Sequence, residues 1–117
     1  MQRKIERFED ILAWQEARDL VMGIYKLFRS CKDYAFRDQI QRAAVSIMNN
    51  IAEGYERKGN KEFSKFLFIA KGSAGEVRSM LQIALDLNYI AKNDFDVYFR
   101  KTEHISRMLS NFIKKLN

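Results

Sequence analysis

The sequence predicts an all-α protein, an antiparallel up-down-up-down four-helix bundle, and three observations carry that prediction. Its 117 residues include no proline and only five glycines, a composition that suits helices and not a turn-rich β fold. Apolar residues recur at three and four along four successive stretches, the period of a helix that buries one face. The polar breaks between those stretches are short, which makes consecutive helices antiparallel neighbours. With 47% hydrophobic and 31% charged residues, the chain reads as a single globular domain over residues 1–117.

Residues 1–9 form a charge-balanced lead-in. Asp10 is placed to cap the first helix, with Phe8 as a hydrophobic staple. Leu12, Ala17, Leu20, Val21, Ile24, Leu27 and Phe28 give that helix its core stripe, and Trp14 beside the stripe reads as a packing anchor. Ser30–Asp33 interrupts the pattern. The second helix is expected from Asp33 or Tyr34 to Lys58, with Ile40, Ala44, Ile47, Ile51 and Tyr55 facing the core. Gln39, Arg42, Ser46, Asn49, Glu53 and Arg57 form a second, polar stripe. Gly59 suits the left-handed position after a helix, and Asn60 the cap of the next.

The third helix is expected from Lys61 to about Leu87, on a stripe of Phe63, Phe66, Leu67, Ala70, Ala74, Val77, Leu81 and Ala84. Gly72-Ser73-Ala74-Gly75 lies in its middle. The apolar phase is the same on both sides, so the helix is read as continuous, with small residues admitting a close neighbour. Asn88 then caps it, and Asn93 is expected to open a fourth helix. Phe95, Tyr98, Phe99, Thr102, Ile105, Met108, Leu109, Phe112 and Leu116 carry that helix onward. Lys114 and Lys115 sit in its last turn, where cations favour the helix dipole.

Several chemistries lack their residues. One cysteine, Cys31, leaves no internal disulfide and no cysteine-based zinc site. The one histidine, His104, has Lys101 three positions before it, so no Glu-x-x-His iron motif exists. His104 is expected to face solvent. Ser46 and Ser73 have no Ser/His/Asp arrangement around them, and no glycine-rich phosphate loop occurs. The expectation is a non-enzyme with no cofactor and no metal. The N-terminal MQRKIERFED has no apolar stretch of export-signal length, and no apolar run is long enough to span a bilayer. A cytoplasmic protein without a membrane partner is expected.

The net charge of +6 suits an anionic partner such as RNA or DNA, and also occurs in proteins without one. Candidate contacts are Arg42, Arg57, Lys61, Lys65, Lys71, Arg100, Lys101, Arg107, Lys114 and Lys115. No consecutive basic run concentrates them. Arg42, Asn49, Glu53 and Glu76 are candidates for a polar network that fixes helix register, with a ligand site as the less favoured reading. Self-association has its own signal. The apolar arc of the third helix is widened by Ile69, Met80, Ile83 and Leu87, and that of the second by Val45, Met48 and Ala52. Three partner helices are few to cover both, so these residues are candidates for an oligomer interface.

The central segment QIQRAAVSIMNNIAEGYER resembles the QIRRAAVSIPSNIAEGxxR signature of a bacterial four-helix-bundle family, the 23S ribosomal RNA intervening-sequence proteins. FEDILAWQEARDLV is similar to that family's opening segment, and EFSKFLFIAKGSAGEV to its third helix. The chain departs from the pattern at Gln41, at Met48-Asn49 and at Lys71. If the family's paired arginines contact an anion, Gln41 weakens that contact here. Members are encoded within ribosomal RNA gene insertions or as free-standing genes. A related branch, the accessory protein of diversity-generating retroelements, forms a pentameric barrel and works with a reverse transcriptase. The resemblance therefore implies a homo-oligomer, a pentamer as first guess, and a nucleic acid or a nucleic-acid-processing protein as partner. The alternative is a protein-interaction scaffold with no nucleic-acid role.

Overall fold

The computed structural model describes residues 4–117, so the first three residues of the lead-in lie outside the described residues. The lead-in closes in a 3-10 turn at Phe8–Asp10, Ile11 is extended, and helix α1 runs Leu12–Leu27. Asp10 does not cap α1, against the sequence expectation, because its Oδ2 accepts the Glu6 N–H at 3.0 Å within the turn. Burial of Ile11 fixes where the helix starts instead. Two contacts seat the turn on α1. Gln15 Nε2 donates to the Glu9 carbonyl at 2.8 Å, and Phe8 meets the buried Trp14 edge-on, with centroids 5.2 Å apart.

Asp33 caps α2 (Tyr34–Glu56), its Oδ1 accepting the Phe36 N–H at 3.2 Å. The helix stops at Glu56 rather than Lys58, and Arg57 is extended. Gly59 has φ +95°, a conformation that glycine adopts without strain, yet it precedes α3 rather than terminating α2. Asn60 is the first residue of α3 (Asn60–Asp86), not its cap. At the far end Asn88 has φ +60°. The Tyr89 N–H then reaches the Ala84 carbonyl at 2.8 Å and the Asn88 N–H that of Leu85 at 3.0 Å, satisfying carbonyls that the helix end leaves open. Helix α4 (Lys92–Leu116) starts ahead of the expected Asn93 cap. Ile90 enters the core, Ala91 is extended, and Lys92 opens the helix with its Nζ 2.7 Å from Asp96 Oδ1.

Each helix packs against the two beside it, and α1 closes on α4. The result is the antiparallel four-helix bundle, 43 × 28 × 20 Å. The expected stripes form the core. Leu20 and Ile24 of α1, Ile40, Ala44, Ile47 and Ile51 of α2, Leu67 and Leu81 of α3, and Ile105 and Leu109 of α4 are fully buried. Each large aliphatic side chain among them contributes about 1.5–3 kcal/mol by leaving water. Thr102, also fully buried, donates from Oγ1 to the Tyr98 carbonyl at 2.7 Å, so its hydroxyl adds no desolvation cost.

Helix α3 runs unbroken through Gly72 and Gly75, since the buried Ala70, Ala74 and Val77 hold one phase across them. These glycines are not the close-packing device the sequence suggested. A Cβ at either would meet nothing within 4 Å. The close approaches are elsewhere: a Cβ on Gly54 would lie 2.6 Å from the Phe66 Cβ, and one on Gly23 would strike the Tyr98 ring.

The connections at one end of the bundle are tied together. The Tyr89 hydroxyl donates to Asp33 Oδ2 at 2.7 Å, and Phe36 packs against both Phe28 and Tyr89 with centroids 5.8 and 5.4 Å apart. Asp33 holds the Tyr89 phenol above its ordinary pKa, chiefly through this hydrogen bond, because the neutral O–H is the form that donates to a carboxylate.

Candidate nucleic-acid interface

Helix α4 turns Phe95, Thr102, Ile105, Leu109 and Ile113 into the core. The helical period then fixes what the opposite side carries. Arg100, His104, Arg107, Asn111 and Lys114 follow one another at four, three, four and three residues, and all are exposed, as is the adjacent Lys115. One carboxylate, the half-buried Glu103, lies beside this row, three residues after Arg100 and four before Arg107. Ion pairs among the described residues employ Arg7, Arg37, Arg57 and Lys92, so no cation of the row is held in an ion pair. At 1.5 Å per residue the row spans about 21 Å. The sequence reading names its arginines and lysines but treats them singly, and sets His104 apart. The 3-4 spacing across Arg100, His104, Arg107, Asn111 and Lys114 was the signal that joins them.

The remaining candidate cations divide. Phe63 of α3 packs on Phe112 of α4, with centroids 5.2 Å apart, which brings the exposed Lys61 and Lys65 to the same end as Lys114 and Lys115. Lys71 and Lys101 are half-buried. Arg57 is engaged: its guanidinium lies 3.1 Å from Glu53, 3.8 Å from Glu62, and over the Phe66 ring at 5.0 Å. A cation so placed offers less to a phosphate than one of the α4 row.

Arg42 belongs to a different surface. It lines an open depression of about 590 Å³ between α2 and α3 with Ala35, Asp38, Gln39, Ala43, Ser46 and Glu76. One guanidinium faces two carboxylates there, a mixture that favours neither a phosphate nor a metal cation. Polar bonding across this seam differs from the expected network of Arg42, Asn49, Glu53 and Glu76. Ser46 Oγ and Ser73 Oγ are 3.0 Å apart, and Asn50 Nδ2 donates to the Ser46 carbonyl and hydroxyl at 2.8 and 3.0 Å. Gln39 Nε2 donates to Glu76 Oε2 at 3.3 Å. Asn49 is exposed, and so are Glu53 and Glu76, so water screens both carboxylates rather than a buried partner. Asn50, one turn beyond Ser46 on the same helix, holds the Ser46 hydroxyl that meets Ser73, a role the sequence reading missed.

The candidate interface residues also separate. Met48, Ala52 and Met80 pack against the core of this chain, and Val45 is half-buried. Ile69, Ile83 and Leu87 stay exposed, at 45%, 47% and 52%. Phe68, 56% exposed, and Met22 and Val97 join them as apolar surface that the sequence reading left out. Leu12, expected in the core stripe of α1, is exposed instead, because the buried Ala13, Ala17, Leu20 and Ile24 put it about 100° off the core side. Among the described residues no helix is long and apolar enough to cross a membrane, and no three metal-ligating side chains gather.

Comparison with known proteins bears on this arrangement. A protein of unknown function from the S23 ribosomal protein family of Bacteroides thetaiotaomicron VPI-5482 matches with a TM-score of 0.83, over 88% of this chain and 99% of its own. At 23% identity that likeness shows the fold alone. No curated protein matches the chain. The model of the 23S rRNA-intervening sequence protein family matches residues 9–111, from the 3-10 turn into the last turns of α4, and the chain belongs to that family.

Proposed function

We propose that this protein is a non-catalytic, cytoplasmic binding bundle that engages the phosphate backbone of RNA or DNA through the outer face of α4. The supporting observation is the row Arg100, His104, Arg107, Asn111 and Lys114 with Lys115, exposed and without an ion-pair partner among the described residues. Phosphate contacts of this kind position a protein on nucleic acid without reading its sequence. Four fixed cations imply a salt slope, in log K against log salt, of roughly −3 for a single strand. Fluorescence anisotropy of a labelled single-stranded RNA across a salt series tests this. Arg107→Glu with Lys114→Glu is expected to abolish binding and leave the helical signal intact. Absence of binding to any RNA or DNA at low salt rejects the reading.

A second reading is favoured by the exposed Phe68, Ile69, Ile83 and Leu87 of α3. Monomeric proteins seldom leave large contiguous apolar patches in water. On this reading the bundle associates with itself and serves as a scaffold. Light scattering at micromolar concentration tests it, and a monomer mass of 13.9 kDa rejects it.

A further inference from the structure

The permanent cations of the α4 row are interrupted twice. Between Arg100 and Arg107, about 10.5 Å apart along the helix axis, stands His104, and between Arg107 and Lys114, equally spaced, stands Asn111. A strand of a duplex carries a charge about every 3.4 Å of axis, so each interruption leaves phosphates facing a side chain without a fixed charge. Asn111 is always neutral. His104, the one histidine of the chain, carries the side chain whose ordinary pKa places a change of charge between about pH 5 and 8. It is exposed and enters no ion pair among the described residues. The charged groups around it belong to its own helix: Arg100 a turn before, Arg107 a turn after, and the half-buried Lys101 and Glu103 on its flanks. Glu103 is its neighbour in sequence, and adjacent residues of a helix do not face each other. Helices α1 and α3 pack against the opposite, buried side of α4, so no charged group of either faces His104.

We propose that His104 makes the grip of α4 on nucleic acid proton-dependent: its imidazolium joins Arg100 and Arg107 on the phosphate backbone, and its neutral imidazole does not. This rests on the nucleic-acid reading above and gives that site a regulator. The proton comes from solvent and stays on the imidazole. A phosphodiester remains an anion throughout the range in which histidine titrates, so a bound backbone supplies the opposite charge that favours the imidazolium. Proton uptake and nucleic-acid binding therefore favour each other. The sign follows: affinity is highest below histidine's ordinary titration near pH ~6.5 and falls as pH rises through it. One further phosphate neutralised on a single strand steepens the salt slope by about 0.7, which at about 0.1 M salt is about fivefold in affinity.

Fluorescence anisotropy of a rhodamine-labelled single-stranded oligouridylate tests the proposal, because uracil does not titrate in the range where histidine does. The parent is expected to bind about fivefold more tightly at about pH 5.5 than at about pH 8, with the salt slope moving from roughly −3 to roughly −3.5. His104→Gln is expected to bind at both pH values as the parent does at the higher one. His104→Lys, a permanent cation, is expected to bind at both as the parent does at the lower one. The position is exposed, so circular dichroism is expected to show the same helical signal in all three proteins at both pH values. A parent that binds no RNA or DNA at either pH and low salt overturns the proposal together with the nucleic-acid reading. Binding that is indifferent to pH in the parent, or that keeps its pH dependence in His104→Gln, overturns the role of His104 and leaves the nucleic-acid reading standing.

Discussion

Asp33 performs two tasks with one carboxylate, capping α2 through Oδ1 and holding the Tyr89 hydroxyl through Oδ2. Asp33→Ala removes the cap and is expected to cost about 1 kcal/mol, measured by urea unfolding, while Asp33→Asn retains most of that. The tether has a pH dependence of known sign. The phenol's folded pKa is raised above its ordinary 10.0, so its contribution is complete below pH 10.0 and is lost as pH rises through the folded value. Among the five tyrosines, Tyr89 is therefore expected to ionise late in an ultraviolet titration. Tyr89→Phe should delete that late component and leave the others in place. The glycines separate just as sharply. Gly54→Ala sets a Cβ against Phe66 and Phe63 and is expected to destabilise by about 1–3 kcal/mol. Gly72→Ala and Gly75→Ala, in open space, should each stabilise the chain in dilute solution by about 0.5–1 kcal/mol.

At the scale of the helix, packing and capping follow different logic. Ala44 is fully buried beside the seam where Ser46 and Ser73 touch at 3.0 Å. Ala44→Leu has no space to fill and is expected to cost about 1–3 kcal/mol in denaturant melts. The four core stripes were legible in the sequence because a period of three and four residues is a property of the chain itself. Helix starts were less so. Asp10 and Asn93 have the right side chains to cap, but the burial of Ile11 and Ile90 decides where α1 and α4 begin. That burial depends on helices distant in sequence. Gly59 was legible in conformation and not in role, for the same reason. The polar stripe of α2 was legible as a stripe. Its partners were not, since which of Ser46, Asn49, Asn50 and Glu53 meets α3 turns on the crossing of two helices. The α4 row is the converse case. Its spacing is fully present in sequence, and it gains meaning once the buried side of α4 is known.

For the whole molecule, the α4 row of cations and the apolar surface of Phe68, Ile69, Ile83 and Leu87 on α3 lie on different helices. The α4 row and the back of α3 make separable predictions: the first responds to salt, the second to protein concentration. A loss of RNA binding in Arg107→Glu/Lys114→Glu with unchanged mass would keep the two apart in solution as they are in the fold. The first turn of α1 also supplies a means of watching the molecule unfold. Trp14 is the one indole in the chain, buried with Phe8 edge-on against it and Arg18 at 5.9 Å. Its emission therefore reports on a single corner, the seat of the 3-10 turn on α1, whereas circular dichroism averages over all four helices. Superimposable transitions by the two signals would mean that the corner and the bundle melt as one unit. An earlier fluorescence transition would mean that the 3-10 turn peels away first, leaving the four helices packed without it.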